Sequence, residues 1–317
     1  MQGYRMNKKK YMLLLLTLIT SILSAHNRIQ KTFEKISSLI KKEPLEKIDQ
    51  RELSAVGIKQ ISIHNIHGPI SIKTGWEKET ICLKTIKKAK KQENLNNLTV
   101  TINTTQPHHL VVSSHDLNKK RNDIIEYELI IPLNLAVQLK TKKGNIIINK
   151  INGPIKAMTD AGTITISNTK NTICAQTNKT GDIIIEKAQG SIQALSRHGN
   201  ITINNPCNNI TAHSTRGKLM VTCDTISPSS IFKLETITGN ITLRTPTKTD
   251  AYITAKTTHG TVTSDHPITL KPYTTKLNST AWNLFKKEIE GTLGSGGAQI
   301  AFKSTHGNVK IVETHTT

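Results

Sequence analysis

With 317 residues the chain could hold two domains, but a repeat that grows by addition needs no second core. Lys and Arg outnumber Asp and Glu by 43 to 22, and the formal charge of +21 favours anionic polymers and surfaces as partners. Only 3% of residues are aromatic, which leaves few platforms for stacking bases, so no nucleic acid is expected as a partner.

Residues 1–25 read as a secretory signal peptide. Arg5 and Lys8 to Lys10 precede an apolar run from Tyr11 to Leu23, followed by the small residues Ser24 and Ala25. The run is short against the ~20 residues of a membrane span. Cleavage near Ala25 is therefore expected, an uncleaved anchor being the alternative, with no transmembrane segment after cleavage and a destination in the periplasm or at the cell surface. Residues 26–56 are charged and carry Phe33, Ile36 and Ile40 at helical spacing before Pro44. They predict a short helix and a linker, serving as a solvated spacer or an N-terminal cap.

A β-helix domain is expected over residues 57–312, with irregular turns over 57–136 and regular repeats over 137–312. Its first rung is Ile61-Ser-Ile63, followed by the corner residue Gly68 and then Ile70-Ser-Ile72. Strands are predicted at Thr80–Ile86, Leu98–Ile102, Leu110–Ser113 and Ile124–Ile131, with exposed loops over 87–97 and 115–122.

From Val137 onward one unit recurs. Ile155-Lys-Ala157, Ile173-Cys-Ala175, Ile192-Gln-Ala194 and Ile210-Thr-Ala212 are each followed by a hydroxyl residue, a glycine and an alternating aliphatic run. The unit reads I-x-A-x-[ST]-x-x-G-x-I-x-I, with one extra residue before Gly181. Alternation puts residues i and i+2 on one face of a strand. Each unit thus supplies two short strands that cannot bury their apolar faces until turns stack in parallel, about 4.8 Å apart. The glycines at 144, 162, 181, 199 and 217 give turns of about 18 residues. A second corner is expected at Gly153, Asn171, Gly190 and Asn208, residue types that tolerate a left-handed backbone. The fold class is therefore all-β, a parallel β-helix (β-solenoid). Looser repeats follow at Gly239, Gly260 and Gly307. A helix over Ala281–Ile289, bearing Trp282 and Phe285, is expected to cap the last turn.

These pieces resemble the bacterial putative-adhesin family of unknown function. The matching residues are Ile66-His-Gly68-Pro-Ile70-Ser-Ile72 with Gly75-Trp76, Tyr127-Glu-Leu-Ile-Ile-Pro132 leading to Leu139, the Gly-x-Ile-x-Ile rungs, and Gly294 to Ile300 with Thr305-His-Gly307. The resemblance covers roughly residues 57–312. It implies a single-stranded right-handed β-helix and carries no catalytic residues.

Four cysteines remain beyond residue 25. Cys207 and Cys223, 16 residues apart, are the one pair spaced near a single turn. The competing functional class is a polysaccharide-active β-helix enzyme, a lyase or hydrolase, which needs carboxylates that converge. Asp182 falls in the slot after a corner glycine, where other turns carry Asn145, Asn240 and Asn308. That column reads as an Asn ladder rather than an active site. Asp160 has no acid in the matching slot of either adjacent turn. His198, His259 and His306 precede corner glycines on separate turns, and His64 and His67 form an H-x-x-H; zinc wants three or four converging ligands. No catalytic residue, cofactor or metal site is assigned. The remaining candidate is the corner itself. Lys142, Lys143, Lys179, Arg197, Arg216 and Lys218 fall at corresponding corners, either as an ordinary solvated edge or as a ridge for anionic polysaccharide or an envelope surface. The expectation is an exported, non-enzymatic, adhesin-like envelope module.

Overall fold

The computed structural model describes residues 30–31, 44–75, 79–117, 123–270 and 287–314. The expected signal segment, the helix bearing Phe33, Ile36 and Ile40, and Trp76, Trp282 and Phe285 lie outside them. Contacts divide the chain into Met1–Pro44 and Leu45–Thr317, and all the described strands belong to the second unit.

The described strands form two long sheets, one of thirteen and one of twelve. In the first sheet Ile155 pairs in parallel with Val137 on one side and Ile173 on the other. Ile173 pairs with Ile192, Ile192 with Ile210, and Ile210 with Phe232. In the second sheet the column runs Ile146, Ile164, Ile183, Ile201, Leu219 and Ile241. The chain is thus a solenoid in which each unit lays one strand on each sheet. Side chains of the Ile and Ala positions fill the space between: Ile164, Ile166, Ala175, Ile183 and Ile185 are fully buried. Outward positions such as Cys174 and Thr165 alternate with them. The extra residue before Gly181 is absorbed as a bulge, where Ala161 pairs with Thr180 and the register shifts after Thr159.

Left-handed backbone at the second corner falls three residues earlier than expected. Lys150, Asn168, Lys187 and Asn205 hold φ between +51° and +59°, while Gly153 and Gly190 do not have positive φ. Those two glycines serve close approach instead, since a Cβ at Gly153 would run into the Leu135 carbonyl and one at Gly190 into that of Asn171.

Both ends depart from sequence order. The rung Gln60–His67 lies between Ala136–Lys143 and His109–Asp116, so the second turn stacks outside the first. At the other end Ala298–His306 and Val309–Thr314 slot between the turn of Ile231–Pro246 and the turn of Ala251–Ser264. A simple sequential ladder from Gly239 to Gly260 to Gly307 is therefore incorrect; Gly307 is the middle level.

Antiparallel strands close the ends. Leu45–Ser54, within the stretch read as linker, is a ten-residue strand paired with Thr80–Ala89. The predicted loop at 87–97 is instead the end of that strand and a one-turn helix, Gln92–Asn97. Glu288–Leu293, partly read as helix, pairs antiparallel with Ala251–Lys256.

Ile183 is fully buried, whereas Thr165 is an outward neighbour of Ile184. Ile183→Asp should lower unfolding stability by at least ~4 kcal/mol, because it loses apolar burial and leaves a carboxylate unpaired in the core. Thr165→Asp should stay within ~0.5 kcal/mol of wild type in the same urea titration. Equal tolerance of the two changes would contradict the strand register.

Candidate binding edge

The corner is built by the [ST]-x-x-G spacing. The hydroxyl residue ends the inward-facing set of one strand and is buried: Thr159, Ser196, Ser214 and Thr236 are all at most 2% exposed. Its hydroxyl donates to the carbonyl of the corner glycine one level away. Thr159 reaches Gly144 at 3.1 Å, Ser196 reaches Gly181 at 3.3 Å, Ser214 reaches Gly199 at 3.0 Å and Thr236 reaches Gly217 at 3.1 Å. Thr177, beside the bulge, bonds its own Gly181 carbonyl at 3.1 Å and Ser196 at 2.8 Å. A buried carbonyl that strand pairing leaves unused would otherwise cost about 1–3 kcal/mol.

The slot after the glycine forms a second ladder. The Asn145 side-chain oxygen accepts the Thr163 N–H at 2.9 Å, Asp182 accepts that of Asn200 at 2.7 Å, and Asn200 accepts that of Lys218 at 2.9 Å. Asn240 and Asn308 continue it at 2.9 and 3.0 Å. Asp182 is thus one rung of an amide ladder. Asp160 accepts from Asn178 at 2.9 Å and faces Lys179 at 4.0 Å. Neither carboxylate converges on another acid.

What the corner offers to solvent is its variable positions, and all six expected bases are exposed there. Lys142 and Lys143 end one strand, and Lys143 lies level with Ala161. Lys179 stands beside the bulge, one level further on. Arg197 precedes His198, which pairs with Arg216. Lys218 lies across the glycine, in the Asn-ladder slot. The bases therefore occupy four of five successive levels, spanning roughly 19 Å at the usual strand spacing. The level between Lys143 and Lys179 carries Asp160 instead. The edge is a row of bases with one acid set in it.

Other candidates come apart. His259 and His306 stack face to face, ring centroids 4.6 Å apart. Burial, followed by the charges of Lys140 and His109, holds the His64 imidazole below its ordinary value. Among the described residues no group of three metal-ligating side chains converges. Cys207 and Cys223 are both free; Cys207 is exposed, and burial pushes the Cys223 thiol up to about 12, so it stays protonated at neutral pH. Among the described residues no helix is long and apolar enough to cross a membrane.

A groove of about 900 Å³ was not legible in sequence. It is lined by Ile58, Pro132, Leu133 and Leu135, with Lys59 and Lys150 among its polar groups. Four separate stretches of chain meet there because the first turns are interleaved, and no local motif marks such a meeting.

A family model described as Toastrack DUF4097 matches residues 58–312. No curated protein matches the chain. Among solved structures, a putative adhesin from Bacteroides fragilis is similar at 15% identity and a TM-score of 0.42, covering 86% of this chain and all of that one. A putative cell adhesion protein from Clostridium sporogenes is similar at 11% identity and a TM-score of 0.30, with the same coverage. A putative lipid binding protein from Parabacteroides distasonis is similar at 7% identity and a TM-score of 0.24, covering 84% of this chain and 97% of that one.

If Asp182 is a ladder rung, Asp182→Asn keeps the acceptor oxygen and should leave stability within ~0.5 kcal/mol of wild type. Asp182→Ala should cost about 1 kcal/mol, the usual net value of a hydrogen bond. Urea unfolding of both variants checks this; an Asn variant as weak as the Ala variant would contradict it.

Proposed function

We propose that this chain, which belongs to the Toastrack DUF4097 family, is an exported, non-enzymatic binding or structural module of the cell envelope. Its basic corner takes an anionic polymer such as an acidic polysaccharide. The observation that carries the reading is the exposure of Lys142, Lys143, Lys179, Arg197, Arg216 and Lys218 on one edge of a rigid stack. The charges of adjacent levels lie inside a Debye length of ~8 Å. This crowding is mildly unfavourable in the isolated protein and becomes favourable when a polyanion lies along the row.

Export and an envelope location rest on the charged and apolar N-terminal residues up to Ala25. The winding is read as a right-handed, single-stranded β-helix with turns of about 18 residues, in keeping with the partners Ile155–Ile173 and Ile192–Ile210. A polysaccharide-active enzyme would need a pair of converging carboxylates, and Asp160 and Asp182 are instead engaged by Asn178 and Asn200.

The test replaces Lys143, Arg197 and Arg216 by Gln together and follows retention on an anionic polysaccharide matrix as salt rises. Lys84 and Lys88 are unsuitable control positions, since they pair with Glu128 and with Glu46 and Glu126. Exposed Lys156, Lys170 and Lys233, changed together to Gln, serve instead. The edge variant should elute at clearly lower salt than the control. Its log–log salt slope should be shallower by roughly two to three, about one per lost contact. Identical elution would mean that only net charge matters.

A further inference from the structure

The corner column that holds Arg216 runs on past it. Eight neighbouring strands of the thirteen-stranded sheet, from Ala136–Lys143 to Ala251–Thr257, lead into a corner glycine. The residue before that glycine is Lys143 or Arg216 on two levels and His198, His306 or His259 on three; the others carry Ala or Thr. His198 pairs with Arg216, Arg216 with Thr238, and Thr238 with His306. His259 closes the series, its ring centroid 4.6 Å from that of His306 with 12° between the planes. At the usual strand spacing the column is about 34 Å long. The six bases described above cover little more than half of it.

His259 and His306 are exposed and His198 is half-buried. Imidazole is the side chain whose charge ordinarily changes between about pH 5 and 8. Around His198 the charges are mostly cationic: Lys179 on the level before, Arg216 on the level after, and Arg197 beside it. Across the glycines Lys218 adds another cation, while Asp182 accepts the Asn200 N–H and Asp160 faces Lys179. His306 has neutral Thr238 on one side and His259 on the other. Against the last strand, the Lys287 carbonyl accepts the Thr257 N–H at 2.8 Å. The acids on these strands are held elsewhere, Glu235 by Lys303 at 3.0 Å and Glu288 by Lys256 at 3.1 Å, while beyond the corner Asp265 faces Lys310 at 3.9 Å. Among the described residues no carboxylate pairs with any of the three histidines. A proton taken up there has no counter-charge within the protein.

We infer that His198, His306 and His259 are proton-gated contacts for the same anionic polymer, which lengthen its track from Lys143 to His259 as pH falls. The inference rests on the polyanion reading above and adds its regulation. The polymer supplies the counter-charge that the corner lacks, so bound polymer favours the imidazolium form of each ring. Proton uptake and polymer binding therefore strengthen one another by linkage. The stacked pair sharpens the effect. Two protonated rings this close repel, so His306 and His259 both carry charge only when an anion lies across them. The sign is fixed: the complex holds more protons than the free protein. Affinity must rise as pH falls through the histidine range and stay flat above it.

The test measures the dissociation constant of the full chain for dextran sulfate, whose charge is constant over this range, at about pH 8 and about pH 5.5. Wild type should bind at least ~10-fold more tightly at the lower pH, with a log–log salt slope steeper by roughly two. The variant His198→Gln/His259→Gln/His306→Gln should gain ~3-fold or less between the same two conditions. A charge-matched control, His108→Asn/His115→Gln/His213→Gln, should gain as wild type does. Circular dichroism at both pH values checks that each protein stays folded. Calorimetry near pH 6.5, in two buffers of different ionisation heat, should show wild type taking up about one proton or more beyond the uptake of the triple variant. Equal gains in the two histidine variants, or equal proton uptake, would overturn the inference and leave the basic ridge standing. Failure of the polyanion reading shows separately at the higher pH, where the variant changed at Lys143, Arg197 and Arg216 would bind like its lysine control. That result would overturn both.

Discussion

The constraint on which the stack depends is the approach of one corner glycine to the next. A Cβ built on Gly162 would collide with the Gly144 carbonyl, one on Gly199 with that of Gly181, and one on Gly307 with that of Gly239. The corner can thus close only where a side chain is absent, and the same carbonyl is then taken by a buried Thr or Ser hydroxyl from the neighbouring level. Closeness and satisfaction come from the two ends of the same [ST]-x-x-G spacing. The amide ladder of Asn145, Asp182, Asn200, Asn240 and Asn308 secures the other side of the glycine. Between these two polar columns the inward Ile and Ala residues have fixed neighbours above and below, so burial becomes continuous along the stack.

This division of labour bears on function. Backbone and inward groups at the corner are engaged within the stack, and the acid in the ladder serves the ladder. Chemistry is left to the variable positions, which point outward and do not decide whether the turn closes. Lys142, Lys143, Lys179, Arg197 and Arg216 occupy such positions, and Lys218 shares the ladder slot through its backbone N–H alone. The surface can therefore carry charge at regular spacing at little cost to the fold.

Much of the regular region was legible in the sequence because its signals are local. Ile-x-Ile alternation, the hydroxyl before the glycine and the Asn after it each name a strand face or corner, and the extra residue before Gly181 marks the bulge. The ends were illegible for the opposite reason. The rungs around Gly260 and Gly307 carry nearly the same residues, so nothing local says which stacks on Gly239. Leu45–Ser54 is exposed on both faces and lacks the alternation that betrays a strand. The second corner misled because Gly153 and Gly190 are required by space, while the left-handed angle falls on Lys150 and Lys187, residue types that do not advertise it. At the basic edge the exposure of the six bases and the place of Asp160 in their row were legible, but the approach of Asp160 to Lys179 was not, since it depends on the register of two turns.

The most direct measurement is the unfolding stability of Gly199→Ala against Gly57→Ala. Gly199 does not hold positive φ, so its substitution tests space alone, whereas Gly57 at φ +76° is strained by a side chain but has nothing closer than the His108 ring at 4.0 Å. Strain at Gly57 should cost about 1–2 kcal/mol. Gly199→Ala should cost clearly more, ~3 kcal/mol or above, because two backbones must move apart in a close-packed stack. A Gly199→Ala protein as stable as wild type would mean that the corner glycines do not set the stack.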